Sequence, residues 1–165
     1  MEAAPREARV REATAEDWPA VAALLAELGR PEALGRVEEP TLKGVFLGYL
    51  ERPDEEALVA EVNGRVVGFV DIEYRTRLNF DRPQAWIPDL VVAEADRSRG
   101  VGRALLCRAE ELARERGCWG ISLESATWRT RAHAFYLREG WTDAGKGFTK
   151  SLTGEPWPPA PPDGG

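Results

Sequence analysis

The chain has 165 residues, 43% of them hydrophobic, and a formal net charge of −6. That length suits one domain, and the negative balance argues against a general nucleic-acid or anionic-membrane binder while leaning toward a cationic small-molecule partner. No apolar run approaches the ~18 residues of a membrane span, the opening "MEAAPREARV" lacks a signal-peptide layout, and Cys107 and Cys118 lack metal-type spacing, so the sequence reads as a cytoplasmic protein with reduced, core-facing thiols.

Residues 8–13, "ARVREA", alternate like a short strand. Thr14 opens a helix, with Asp17 three residues on completing a capping box. Trp18, Val21, Leu24, Leu25 and Leu28 follow at helical spacing, and Gly29 closes the element. A second helix is predicted over 40–50. "EALVAEV" (56–62), Asn63-Gly64 and "RVVGFVDIEYR" (65–75) form a hairpin signal. A loop over 77–84 leads to a strand over 85–92, "AWIPDLVV". The helix 101–116 carries Leu105, Ala109, Leu112 and Ala113 on one face, with Gly117 at its end. "CWGISLES" (118–125) alternates again, a helix spans 130–139 before Gly140, and "KGFTKSL" (146–152) reads as a last strand. The organisation is one α/β domain over 1–152 and a proline- and glycine-rich tail over 153–165, predicted to be disordered.

The turn before the helix at 101 reads "EADRSRGVGRALL" (94–106). The first N–H groups of a helix have no partner within it and point outward with the positive end of the dipole. Gly100 and Gly102 let an anion approach them closely, and Arg97, Arg99 and Arg103 add charge. Three phosphate-binding designs and a plain solvated basic loop compete for this pattern. A P-loop needs Gly-Lys-Ser/Thr at its end, which "GVGRALL" lacks. A dinucleotide fingerprint needs a third glycine where Leu105 stands, although Glu124 sits where a ribose-binding acid would be.

The third design rests on a resemblance. "RSRGVG" (97–102) is similar to the R-x-x-G-x-G/A pyrophosphate loop of the GCN5-related N-acetyltransferase (GNAT) superfamily. "DLVVAEADR" (89–97) resembles the exit of that family's fourth strand. "RTRAHAFYLREGW" (129–141) is similar to its N-x-x-A-x-x-x-Y-x-x-x-G-F segment, with Ala132, Tyr136, Gly140 and Trp141 at the matching places.

The resemblance implies a mixed, splayed central β-sheet flanked by helices, and acetyl-CoA as cosubstrate without a metal. It puts the pyrophosphate on Arg97, Ser98, Arg99, Gly100, Val101, Gly102 and Arg103. The pantetheine arm would enter the gap between the fourth and fifth strands and pair with Leu90, Val91 and Val92 like an added strand. An N–H near Val92 would stabilise the developing oxyanion, and Tyr136 would serve the departing thiolate. Arg129 stands where the family often has asparagine, which leaves that contact to CoA open.

The implied reaction needs a neutral amine, whereas an alkyl amine of pKa ~10.4 is mostly protonated near neutrality. A carboxylate or water must take the proton; Asp89 is the first candidate, with Glu73 and Glu124 as alternatives. His133 is read as a packing or surface residue, and Trp86 as a wall of the substrate cleft. The acceptor region holds Glu27, Glu32, Glu38, Glu39, Glu51, Asn79, Phe80 and Asp81. Its acid-rich character favours a cationic small amine such as an aminoglycoside or polyamine, or a protein amino group. A monomer or homodimer is expected, with no nucleic-acid or membrane partner. A non-catalytic acyl-CoA-binding regulatory domain would keep the turn; the presence of Tyr136 favours the enzyme.

Overall fold

The computed structural model describes residues 7–28 and 37–154. These form two compact units, one ending at Leu123 and one beginning at Glu124. Gly29, Glu32 and the tail beyond Gly154 lie outside the described residues.

Strand β1 (Arg9–Glu12) runs into a single 3-10 turn, Ala15–Asp17, and then helix α1 (Trp18–Glu27). The predicted capping box is present: Asp17 Oδ2 accepts the Thr14 backbone N–H at 2.7 Å. The same carboxylate takes the forked guanidinium of Arg11 at 2.7 and 2.8 Å, tying helix start to strand. Helix α2 (Glu39–Leu50) begins at a Pro in its first turn, where the missing N–H costs nothing. Strands β2 (Glu55–Val62) and β3 (Arg65–Arg75) form the hairpin. Asn63 and Gly64 have φ of 53° and 74°, the paired positive values that a two-residue turn of matching twist requires.

Next come β4 (Gln84–Ile87), β5 (Leu90–Val92), α3 (Val101–Glu115) and β6 (Gly120–Leu123). The sheet order is β1-β2-β3-β4-β6, with β5 also on β3. All pairings are antiparallel except β4 with β6.

Register separates the two faces of the sheet. Ala57, Val59, Phe69 and Val91 meet Trp18, Val21, Leu24 and Phe46, so α1 and α2 cover one face. Gly68 points the other way: a Cβ there would lie 2.9 Å from Leu105 Cδ1 and 3.0 Å from Val101 Cγ1. Helix α3 therefore presses on the opposite face, and only glycine lets it come so near. The result is the expected mixed α/β architecture with helices on both sides.

Three expectations need correction. The strand over 85–92 is two strands, because Pro88 has no N–H to give a ladder and the chain bulges there. The strand expected over 146–152 is absent; residues 141–150 carry no regular structure. Alternation there gains no burial, with Phe148 92% exposed, and Gly145 and Gly147 weaken any strand. Cys107 is exposed rather than core-facing, since Leu105, Leu106 and Ala109 take the sheet-facing stripe of α3.

In the second unit, α4 (Thr130–Arg138) lies where the sequence predicts a helix.

Candidate functional site

Residues on an antiparallel strand alternate in which neighbour their backbone groups address. The Ala93 N–H donates to Val67 O at 2.8 Å, and the Asp71 N–H to Asp89 O at 3.2 Å. Residues 89, 91 and 93 thus face β3, and Leu90 and Val92 turn their N–H and C=O groups to the opposite edge. Among the described residues, no strand meets them there. β6 follows β4 only, from Gln84 opposite Gly120 to Ile87 opposite Leu123. The sheet splits at Pro88–Asp89 and leaves one edge of β5 open to an extended ligand.

The open edge leads directly into the glycine–arginine turn. Residues Glu94–Asp96 make one 3-10 turn, and Arg97 is extended. Ser98 and Gly100 have φ of 66° and 81°, the kind of turn that gathers backbone N–H groups into an anion-binding concavity. The first helical bond of α3 runs from Ala104 N–H to Gly100 O at 3.0 Å. The N–H groups of Val101, Gly102 and Arg103 precede it and have no place in the helical ladder. Beneath the turn, Asp96 is 1% exposed, with Oδ1 3.5 Å from Arg65 and 3.8 Å from Arg99. Arg97 Nε donates to Val92 O at 3.2 Å, linking turn and edge. The geometry can hold a diphosphate at the helix terminus and an amide-bearing chain along β5.

The carboxylates lie on the α1/α2 face of the sheet. Glu55 stands opposite Glu73, and Ala57 opposite Asp71, so Glu55, Glu73 and Asp71 share a side. Asp71 is 7% exposed, and its Oδ1 accepts the Asp89 backbone N–H at 2.6 Å. Burial and the neighbouring Asp89 carboxylate hold the Asp71 carboxyl well above the ordinary aspartate range. Burial also raises Glu73, opposed chiefly by the Arg75 guanidinium and reinforced by Glu55 and Asp89. Tyr49, from α2, donates its hydroxyl to Ile72 O at 3.2 Å, and burial followed by Asp71 and Glu73 pushes that phenol up. Trp86 lies opposite Glu73, under the Arg75 guanidinium at 3.5 Å, and its buried Nε1 has no hydrogen-bond partner among the described residues.

Of the predicted bases, Asp89 and Glu73 are brought to this one region, whereas Glu124 is exposed in the second unit. Two of the acidic residues expected around the acceptor have structural duties. Glu39 accepts Trp18 Nε1–H at 2.6 Å, and Glu27 accepts the Glu94 N–H at 3.1 Å. Phe80 stacks on Trp119 at 3.9 Å. Asp71, Glu55 and Tyr49 were not foreseen. A charge within the apolar run "VVGFVDIEY" was the available signal, since aspartate is rarely buried without a task.

In the second unit, Tyr136 is half-buried on α4 with its ring 5.4 Å from Phe135 and 5.9 Å from Trp141. Burial raises its pKa, with the Arg129 guanidinium pulling the other way, so the phenol keeps its proton near neutrality. Arg129 occupies the N-cap position of α4, and His133 donates its backbone N–H to Arg129 O at 3.1 Å.

Residues 10–141 match the family model described as "Acetyltransferase (GNAT) family". An aminoalkylphosphonate N-acetyltransferase of Salmonella typhimurium is 34% identical over 87% of this chain and 90% of its own length. A solved structure described as a transcriptional regulator from Bacillus halodurans C-125 superimposes with a TM-score of 0.79 at 26% identity, covering 88% of this chain and 100% of that one. AAC(6')-Iy, solved with the bisubstrate analogue CoA-S-monomethyl-acetylneamine, shares the fold with a TM-score of 0.75 at 14% identity, covering 88% and 98%.

Proposed function

The chain belongs to the acetyltransferase (GNAT) family and is an N-acetyltransferase, and from that premise we propose that it moves an acetyl group from acetyl-CoA to a primary amine of a small molecule carrying positive charge. The observation that carries this reading is the open edge of β5 running into the Arg97–Gly102 turn. Backbone donors and acceptors suit the amides of the pantetheine arm, and a helix N-terminus suits its pyrophosphate. Val92 O keeps a second lone pair beyond the one used by Arg97.

In the proposed step the neutral amine nitrogen attacks the thioester carbon. A C–N bond forms, and negative charge develops on the carbonyl oxygen, which the Val92 N–H accommodates. The C–S bond then breaks, and the thiolate takes a hydrogen bond or proton from Tyr136. The amine's proton passes to Asp89, directly or through a water. Products are the acetamide and the free thiol of CoA. The roles of Val92, Tyr136 and Asp89 rest on the motifs they occupy and, for Tyr136, on a phenol kept protonated by burial.

A cationic acceptor is supported by Glu55 lying directly opposite Glu73. Like charges across a sheet repel, and Glu55 Oε2 is buried without a hydrogen-bond partner among the described residues. Arg52 pairs with Glu55 Oε1 at 3.0 Å, and an ammonium group would supply the partner that Oε2 lacks. The Salmonella relative acts, by its name, on an aminoalkylphosphonate, which shares a primary amine with such an acceptor.

The test is release of free CoA thiol from acetyl-CoA with a panel of primary amines: an alkyl diamine, an aminoglycoside and 2-aminoethylphosphonate. Release above acetyl-CoA hydrolysis, greatest with a polycationic amine, is expected. Release with 2-aminoethylphosphonate alone would overturn the cationic preference, and none with any primary amine would overturn the reading.

A further inference from the structure

We propose that Asp71 is a positioning residue for acyl transfer: from β3 its carboxyl pins Asp89 where the chain leaves the Ile87–Pro88 bulge, setting both the open edge of β5 and the placement of Asp89. The inference rests on the reading that this edge receives acetyl-CoA.

The strand register locates the bulge. Glu73 faces Trp86 and Val70 faces Leu90, so three steps along β3 match four along the facing chain. Asp71 pairs with Asp89 in the same register as Val70 with Leu90, so the extra residue falls at Ile87–Pro88, opposite Ile72. In an unbroken antiparallel ladder, residues placed as Asp71 and Asp89 would exchange two backbone bonds. One is made, from Asp71 N–H to Asp89 O at 3.2 Å. The returning Asp89 N–H goes to the Asp71 side chain at 2.6 Å. A carboxyl on β3 thus accepts from the residue at which the chain rejoins the ladder after the bulge.

The same pair also brings the carboxylate assigned as base next to Asp71. The Asp89 carboxylate lies close enough to act on the Asp71 carboxyl, and burial with that neighbouring charge favours the protonated form of Asp71. Asp71 Oδ1 meanwhile accepts from the Asp89 backbone. By holding the Asp89 backbone, the same side chain shapes the edge and places the residue assigned as acceptor of the amine proton. Burying a carboxyl in an apolar strand is costly unless it is satisfied in this way.

Asparagine can reproduce the contact, with its Oδ1 accepting the Asp89 N–H; valine cannot. The probes are acetyl-CoA and 3′-phospho-ADP, the nucleotide half of CoA, by calorimetry, together with hydrogen exchange at the Asp89 amide in the free protein. For Asp71→Val the expectation is acetyl-CoA affinity down about tenfold or more, nucleotide affinity unchanged, and Asp89 exchange faster by about 100-fold. For Asp71→Asn all three should stay near wild type. Wild-type acetyl-CoA affinity and exchange in the Val protein would overturn the proposal. So would equal loss of both ligands, or an Asn protein that folds yet loses acetyl-CoA alone. If the wild type itself ignores acetyl-CoA, the functional reading fails, and Asp89 exchange in the variants still decides the role of Asp71.

Discussion

The backbone N–H of Trp141 donates to the carbonyl of Tyr136 at 3.0 Å, and their rings stand 5.9 Å apart. Gly140 between them has φ of 86° and donates to Leu137 O at 3.2 Å. This is a helix-ending motif in which a left-handed glycine folds the next residue back onto the last turn, with an apolar contact to seal it. It explains the spacing of tyrosine, glycine and aromatic residue in "YLREGW". A side chain at Gly140 forces an L-residue into the left-handed region at about 1 kcal/mol. Gly140→Ala should therefore lower Tm by about 2–4 °C, and Gly140→Asn by less. An unchanged Tm in the Ala protein would show that the turn does not restrain the end of α4.

Tyr136→Phe keeps the ring and removes the hydroxyl assigned to the leaving thiolate. Acetyl-CoA affinity should stay within a few-fold while single-turnover transfer falls on the order of 10²-fold. A raised phenol pKa keeps the proton in place, so the deficit should be the same throughout the neutral range. Lower Tm with transfer per folded molecule preserved would instead mark Tyr136 as a packing residue.

Gly102→Glu places a carboxylate in the first turn of α3, where the pyrophosphate is expected. Acetyl-CoA affinity should fall about tenfold or more, roughly 1.4 kcal/mol, with Tm near wild type. Calorimetry showing unchanged affinity would put the phosphates elsewhere.

Arg11 and Asp17 give a pH prediction. The Arg11 guanidinium, by hydrogen bonding, holds Asp17 below its ordinary value of 3.8 against the effect of burial. Stability from the pair is therefore present above that value and lost as pH falls through the folded pKa. Asp17→Asn should cost about 1–2 kcal/mol at neutral pH, and its Tm should converge on wild type in acid. Asp71 has the opposite sign: its raised pKa contributes stability at low pH that is lost as pH rises. A gap between Asp17→Asn and wild type that persists at the lowest pH would refute the assignment.

Local signals are legible in the sequence where one element decides them. The Asn63-Gly64 turn, the Thr14–Asp17 box and the apolar stripe of α3 each depend on a few adjacent residues. The glycine–arginine turn was legible for the same reason. What escaped depends on pairing between distant strands. The break at Pro88 is visible only once β3 faces both halves, and Asp71 acquires its meaning only opposite Asp89. The strand expected over 146–152 failed because alternation specifies a face without supplying a partner.

The most direct test of the account is calorimetric titration of the wild-type chain with acetyl-CoA and, separately, with NAD. Saturable binding of acetyl-CoA with little heat from NAD is the predicted result. Saturable NAD binding with none from acetyl-CoA would contradict the assignment of the β5 edge and the Arg97–Gly102 turn.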